Sequence, residues 1–172
     1  MFFKKRKECP YCGVQINGFI ACLECLKDLK KLVNEKTGKT EHCSSFTAPF
    51  LYKDIVREAI LNFKFHEKTE YCKSFCYFMS SFNFSYYDVL IYVPKFEKEF
   101  NSSKEIAKVL TKKINIKFCK DGLKKIKQTR SQHNCQFKDR FFNLKDAFKG
   151  EPKRLHGKNV LICDVITTSS TA

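Results

Sequence analysis

The chain has 172 residues, the length of one ordinary domain with a small additional module. Hydrophobic residues make up 43% of it, which is enough for a packed core and excludes an intrinsically disordered chain. Lys and Arg number 33 against 18 Asp and Glu, and the resulting net charge of +15 predicts polyanionic partners such as nucleic acid or phosphorylated metabolites.

Two features of the sequence predict a cytoplasmic protein without membrane insertion. No segment approaches the roughly 20 consecutive apolar residues of a transmembrane helix. The basic segment 1–7 has no apolar run behind it, so it does not resemble a secretory signal. In a reducing compartment the ten cysteines are expected to be metal ligands or buried side chains, which excludes an extracellular disulfide scaffold.

Two Cys-x-x-Cys pairs lie near the N-terminus, Cys9 with Cys12 and Cys22 with Cys25. Four thiolates at this spacing can converge on one tetrahedral Zn²⁺ with bonds of about 2.3 Å, and a site with four sulfur ligands is closed and structural. Gly13, directly after the first pair, permits the positive φ that aims backbone N–H groups at sulfur. The alternative is four unrelated reduced thiols.

Other cysteines are weaker ligand candidates. Cys43 with His42 is a possible source of a fifth ligand. Cys72 and Cys76 stand at i and i+4 of a predicted helix and could pair, but for them we expect packing in the core.

The first forty or so residues differ in composition and in predicted secondary structure from the rest of the chain. A helical run with Leu26, Leu29, Leu32 and Val33 on one face follows the cysteines, and the polar segment 34–41 predicts a linker or a hairpin. We place a domain boundary near residue 45. This gives a zinc-ribbon domain over 1–45 and a second domain over 46–172.

The second domain alternates helices with short apolar strands. Apolar residues at helical spacing predict a helix over about 55–63, and further helices are expected over about 69–82 and 132–142. The continuous apolar runs 88–94 and 159–163 predict buried strands, and Ser102 or Ser103 can cap a helix between them. Buried strands separated by helices predict an α/β fold with a parallel sheet flanked by helices.

The region between Lys120 and Lys158 is strongly basic, with twelve Lys and Arg against four Asp and Glu. Basic side chains interleaved with phenylalanines are typical of proteins that bind single-stranded DNA through backbone contacts and base stacking. The alternative is a solvated basic face whose phenylalanines belong to the core. The candidate nucleic-acid residues are Lys124, Lys125, Lys127, Arg130 and Arg140.

The last predicted strand leads into Asp164 and a run of hydroxyl residues. A carboxylate can accept hydrogen bonds from sugar hydroxyls, and backbone N–H groups with hydroxyls can wrap a phosphate. The segment therefore predicts a ribose-phosphate site, with a Ser- and Thr-rich turn as the alternative. Its candidate phosphate-binding residues are Thr167, Thr168, Ser169, Ser170 and Thr171.

Segment 160–171 (VLICDVITTSST) resembles the ribose-phosphate loop of class I phosphoribosyltransferases, and the whole chain resembles the ComF family of competence proteins within that class. The resemblance covers nearly the whole chain in ordered pieces. They are the cysteine pairs, Tyr52 with Val56 and Arg57, the segment 63–65, Val93 with Pro94, Phe100 with Asn101, Lys127 with Thr129 and Gln132, and Arg140 with Asn143, Ala147 and Phe148.

The resemblance implies a type I phosphoribosyltransferase fold behind an N-terminal zinc ribbon, and a glycosyltransferase-like site for phosphoribosyl pyrophosphate with Mg²⁺. Asp164 would contact the ribose, residues 167–171 the 5′-phosphate, and Pro94 and Lys95 the pyrophosphate. The family is linked to DNA uptake in natural transformation, which implies single-stranded DNA and the DNA-uptake helicase machinery as partners.

The chain departs from the family pattern at several positions. Cys163 stands at the first acidic position of the loop and Ser169 at the usual glycine, while segment 98–102 lacks the arginine and glycine of the family motif. We also expect the family's last helix and strand to be missing, as in a C-terminally truncated copy. The catalytic residues are not identified, and the alternative function is a non-catalytic zinc-ribbon protein that binds nucleic acid, or an inactive truncated copy.

Overall fold

The computed structural model describes residues 7–17, 20–40, 43–96, 99–130 and 137–164. Within these ranges the chain has a mixed α/β fold with four small sheets, one of them parallel and three-stranded. It divides into two compact units, Met1–Phe82 and Asn83–Thr171. None of the helices in the described ranges is both long enough and apolar enough to cross a bilayer.

The described residues of the first unit form two antiparallel hairpins and three helices. The strands β1 (Lys7–Glu8) and β2 (Gln15–Ile16) pair with each other, as do β3 (Val33–Thr40) and β4 (Cys43–Phe50). The helices are α1 (Leu23–Lys31), α2 (Asp54–Phe65) and α3 (Glu70–Met79). The unit continues past the domain boundary predicted near residue 45, which falls inside β4.

Helical periodicity explains how α2 and α3 pack in this unit. Val56, Ala59 and Phe63 are buried along one face of α2, as the apolar spacing predicts. On α3 the ring of Phe75 lies against that of Phe50 from β4, with centroids 5.3 Å apart. The second contact joins the β3–β4 hairpin to α3.

The second unit is built on the parallel sheet. Its elements are β5 (Val89–Tyr92), α4 (Ser102–Ile114), β6 (Lys117–Phe118), β7 (Leu123–Lys125), α5 (Phe137–Leu144), β8 (Phe148–Gly150), α6 (Pro152–Leu155) and β9 (Val160–Cys163). The sheet has the order β6-β5-β9, and β7 pairs with β8 in a separate antiparallel ribbon.

The central strand β5 is buried on both faces, as its continuous apolar sequence predicts. It pairs in parallel with both neighbours, and Val89 lies opposite Lys117 and Val160. The prediction of a fully buried last strand is wrong for Ile162, whose side chain is 52% exposed. The reason is that β9 is an edge strand of the described sheet, so it has fewer neighbours to cover its side chains than β5 has.

The direction of the chain through the sheet reverses at its central strand. The chain leaves β5 through α4 towards β6 on one side, whereas β9 lies on the other side of β5. In open parallel sheets, ligands bind outside the carboxyl ends of strands at such a reversal of direction. The carboxyl ends of β5 and β9 are therefore the edge on which to search for a site.

Candidate functional site

Four cysteine side chains converge in the first unit, as their spacing predicts. The Sγ atoms of Cys9, Cys12, Cys22 and Cys25 all lie within 4.8 Å of one another, and those of Cys12 and Cys22 are 3.6 Å apart. A tetrahedral ion with metal–sulfur bonds of about 2.3 Å requires sulfurs about 3.8 Å apart. The cluster can therefore hold one metal ion with small adjustments.

The first pair is held by a tight turn between β1 and β2. The Cys9 amide donates to the carbonyl of Val14 at 2.8 Å, and the Gly13 amide donates to the carbonyl of Cys9 at 2.9 Å. Gly13 adopts a φ of 76°, a conformation that glycine reaches without steric cost. The expected role of this glycine in the turn is confirmed.

The second pair lies at the N-terminus of α1. Cys22 is the N-cap residue, and its side chain accepts a hydrogen bond from the Cys25 amide at 3.5 Å. The Cys22 amide donates in turn to the sulfur of Cys9 at 3.4 Å. Donors and a helix N-terminus stabilise negative charge on sulfur, which is the form that binds a metal ion.

The buried cysteines of the cluster differ in their acidity. Burial opposes ionisation of Cys9, but backbone amides, first that of Cys22, donate to its sulfur and lower the pKa of the thiol to about 7. Burial raises the pKa of Cys25, and hydrogen bonds with the neighbouring cysteine side chains raise it further. One cysteine of the cluster is thus prepared as a thiolate by the backbone around it.

Two tyrosines and a serine connect the first cysteine pair to α3, and sequence reasoning missed them. The hydroxyl of Tyr71 donates to the carbonyl of Pro10 at 2.7 Å, and the Tyr11 hydroxyl is hydrogen-bonded to Ser74, which is fully buried. The rings of Tyr11 and Tyr71 meet edge to face at 5.0 Å. Burial raises the pKa of both tyrosines, so both hydroxyls stay protonated at neutral pH.

Removing the Tyr71 hydroxyl tests this connection. We expect Tyr71→Phe to lower the free energy of unfolding by about 0.5–1.5 kcal/mol, because the Pro10 carbonyl loses its donor. Urea denaturation followed by circular dichroism measures the change. Tyr77→Phe is the matched control, since Tyr77 lies on the same helix with its side chain 53% exposed. Equal effects of the two substitutions would contradict the assignment.

The other candidate ligands lie outside the cluster. Cys43 is exposed, and its thiol donates to the carbonyl of Ser45 at 3.4 Å. Cys72 and Cys76 are buried on α3 with sulfurs 3.9 Å apart, as expected for core side chains. His42 lies outside the described residues.

Asp164 stands directly after β9 at the carboxyl edge of the parallel sheet. The hydroxyl of Ser103, in the first turn of α4, donates to its carboxylate at 2.7 Å. The side-chain amide of Asn101 donates to the carbonyl of Val93, just after β5, at 3.0 Å. These contacts bring the end of β9, the end of β5 and the N-terminus of α4 together at the edge that the strand order singles out.

The structure changes the expected cap of α4. The N-cap residue is Asn101, whose side chain accepts from the Lys104 amide at 2.9 Å, and neither Ser102 nor Ser103 takes this position. Asparagine is a stronger N-cap than most residues, and it leaves the Ser103 hydroxyl available for Asp164. The prediction of a serine cap is therefore wrong.

Of the other predicted ligands at this edge, Pro94 and Lys95 follow β5 directly. The ammonium group of Lys95 pairs with Glu99 at 3.1 Å. The predicted phosphate-binding residues Thr167, Thr168, Ser169, Ser170 and Thr171 lie outside the described residues.

Most of the predicted nucleic-acid residues lie on β7 or shortly after it. Lys124 stands directly opposite Lys149, a lysine that the prediction did not include. Lys125 donates to Thr129 at 2.7 Å, and its ammonium group lies 5.8 Å from the centre of the Phe148 ring. Lys127 and Arg130 are exposed beyond β7, and Arg140 belongs to α5.

Two lysines of like charge face each other across the ribbon. Like charges directly opposite each other across two strands destabilise the pair. Lys124 and Lys149 are in this arrangement and both are exposed. A bound polyanion would remove the repulsion between them.

No family model, no curated protein and no solved structure matches this chain.

Proposed function

We propose that this chain is a ComF-type phosphoribosyltransferase-like protein that carries a structural zinc ion and binds phosphoribosyl pyrophosphate. The observation that carries the ligand site is the hydrogen bond from Ser103 to Asp164 at the carboxyl edge of the parallel sheet. The zinc site is supported by the four converging sulfurs. The type I phosphoribosyltransferase fold is part of the proposal, supported by the parallel order β6-β5-β9.

The residues at this edge have complementary roles in the proposal. Asp164 accepts hydrogen bonds from ribose hydroxyls, and the Ser103 hydroxyl fixes the direction of its carboxylate. The N-terminus of α4 and Lys95 attract the pyrophosphate, because helix N-termini and ammonium groups favour phosphate. Residues 167–171 would complete the 5′-phosphate site.

Magnesium is compatible with these residues. Mg²⁺ is commonly held by one or two carboxylates together with substrate phosphates, and Asp164 supplies one carboxylate at the edge. In this class of enzymes a nucleophile displaces pyrophosphate at the sugar C1. Positioning and electrostatic stabilisation carry such a step. For this chain we propose binding of phosphoribosyl pyrophosphate.

Calorimetry with phosphoribosyl pyrophosphate and Mg²⁺ tests the site. We expect Asp164→Ala to weaken binding at least about tenfold, because hydrogen bonds to a charged group contribute about 1.5–3 kcal/mol. Ser103→Ala should have a smaller effect, since the carboxylate stays but loses its orientation. Asp139→Ala is the control, because Asp139 is an exposed aspartate of the same unit on α5. If the wild type gave no heat, or if Asp164→Ala bound like the control, the ligand site would be refuted.

Binding of single-stranded DNA is a second candidate function, supported by the opposed lysines of the β7–β8 ribbon. This function fits the proposed association with DNA uptake and does not require the ligand at the carboxyl edge. Salt-sensitive DNA binding that is indifferent to Asp164→Ala would favour the nucleic-acid module over the transferase-like one.

The pair Lys124→Gln and Lys149→Gln gives this second function a test with two readouts. For single-stranded DNA, the logarithm of the association constant decreases linearly with the logarithm of the salt concentration. The steepness of this dependence falls by about 0.7 for each lost phosphate contact. We therefore expect a shallower slope together with an unchanged or slightly higher melting temperature, because the repulsion is removed. Lys112→Gln with Lys113→Gln removes the same charge from the end of α4 as a control. DNA binding that keeps its slope in the ribbon variant would exclude this surface.

A further inference from the structure

The amino edge of the parallel sheet, opposite to the edge that carries Asp164, contains a basic pocket. Its volume is about 180 Å³, and its lining includes two buried residues, Val89 and Cys119. The remaining lining residues are all cationic: Lys117, Lys153, Arg154 and Lys158. Val89 is the first residue of the central strand, and Lys117 opens the neighbouring strand directly opposite to it.

The sheet forms one wall of the pocket, and α6 with the residues after it forms the second wall. This second wall is held in place by packing. Leu155 of α6 packs in an apolar cluster with Val89, Ile91 and Cys119, so the segment that carries the other three cations is fixed to the sheet. The amide of Glu151 donates to the carbonyl of Gly122 at 2.9 Å where this segment begins. The cations therefore have a defined place on the sheet.

Gly122 shows how closely this wall approaches. A Cβ atom at this position would lie 2.7 Å from Cγ2 of Ile91 and 3.1 Å from Cδ2 of Leu155. The contact with Ile91 is shorter than real Cβ contacts, so any larger residue at position 122 would force the side chains packed around it to shift. The small residue at position 122 thus leaves room for Leu155 of α6 beside Ile91.

The charges around the pocket are only partly compensated. Arg154 pairs with Asp121 at 3.7 Å, and the Lys158 ammonium donates to the Arg154 carbonyl at 2.6 Å. In the part of the chain that the structure describes, neither Lys117 nor Lys153 has an ion-pair or hydrogen-bond partner for its ammonium group.

Two further carboxylates lie at this edge. Asp88 accepts a hydrogen bond from the Asn159 amide at 2.7 Å, and Glu151 precedes α6. Neither residue lines the pocket, whereas all four cations do.

We propose that this pocket binds a phosphate group. Phosphate offers several acceptor oxygens to donors that approach from different directions, and lysine binds it as a point charge. Two walls of cations above an apolar floor fit this geometry. The group can come from a free phosphate or from the phosphodiester backbone of single-stranded DNA, and the two sources share the same chemistry. The site lies at the opposite end of the strands from Asp164, so it is separate from the proposed ribose site.

Nuclear magnetic resonance with inorganic phosphate locates the site. In the wild-type full chain we expect the amide signals of 117–119 and 153–158 to shift on titration. The triple variant Lys117→Gln, Lys153→Gln, Lys158→Gln should lose these shifts. The control Lys112→Gln, Lys113→Gln, Lys145→Gln removes equal charge elsewhere in the unit and should keep them. Shifts confined to the carboxyl edge, or shifts equal in the two variants, would overturn the proposal.

Fluorescence anisotropy with a labelled oligothymidylate identifies the source of the phosphate. If the DNA backbone occupies the pocket, the salt slope of the pocket variant should fall below that of the control by about 0.7 for each lost contact. If the slopes agree while the phosphate shifts are lost in the pocket variant, the site takes phosphate from a small molecule. If neither measurement separates the pocket variant from the control, the pocket binds no phosphate.

Discussion

Replacing Cys25 by serine is expected to abolish binding of the proposed zinc ion and to unfold the surroundings of the cysteine cluster. Structural zinc bound to sulfur contributes about 10–16 kcal/mol of apparent binding free energy, as much as the whole stability of an ordinary domain. Cys25 is buried in the first turn of α1, where it packs with Cys9 and Ala21. Loss of its sulfur therefore removes a ligand and the centre of a small core together.

The effect can be followed by metal analysis and near-ultraviolet circular dichroism. We expect one zinc per wild-type chain, little or none in Cys25→Ser, and a loss of the tyrosine signal that Tyr11 and Tyr71 give when they pack. Cys43→Ser is the matched control, because Cys43 is an exposed cysteine outside the cluster. A wild-type protein without zinc would refute the metal centre, and so would full zinc content in Cys25→Ser.

Leu90→Ala should destabilise the second unit by about 2–5 kcal/mol, the usual cost of truncating a buried leucine. Leu90 is fully buried in the central strand, and both neighbouring strands pair with it. The surrounding strands cannot close the cavity, because they are held by the ladder on either side. The loss of stability should therefore lie towards the upper part of this range.

Ile162→Ala provides the comparison on the neighbouring strand. Its side chain is 52% exposed, so truncation removes less buried surface and leaves no enclosed cavity. Urea unfolding monitored by amide exchange in 89–92 separates the two variants. Similar losses of stability would show that the central strand does not carry the packing of this unit.

Features that depend on neighbouring residues could be predicted from the sequence. The cysteine pairs, the turn at Gly13 and the apolar face of α2 all follow from short spacings, and the structure confirms them. The strand β5 is equally clear, because a short continuous apolar run closed by Pro94 is typical of a buried strand. The cap of α4 was wrongly predicted because Asn101, Ser102 and Ser103 are all acceptable N-cap residues.

Features that depend on distant residues could not be predicted. The contact of Tyr71 with Pro10 spans 61 positions, as does that of Ser103 with Asp164. The opposition of Lys124 and Lys149 depends on the register of a ribbon, and register is not encoded in either strand alone. The exposure of Ile162 depends on its place at the edge of the sheet, which apolar sequence does not specify.

The pairing of β5 with β9 has a consequence for the order in which the chain acquires its structure. Asp88 and Asn159, which join the starts of these strands, are 71 positions apart. Closing so long a loop costs conformational entropy before the hydrogen bonds and packing of the paired strands can offset it. Folds with many such long-range contacts therefore form slowly. The cysteine cluster spans only residues 9–25. During synthesis, the cysteine cluster can therefore form before β9 has left the ribosome and can pair with β5.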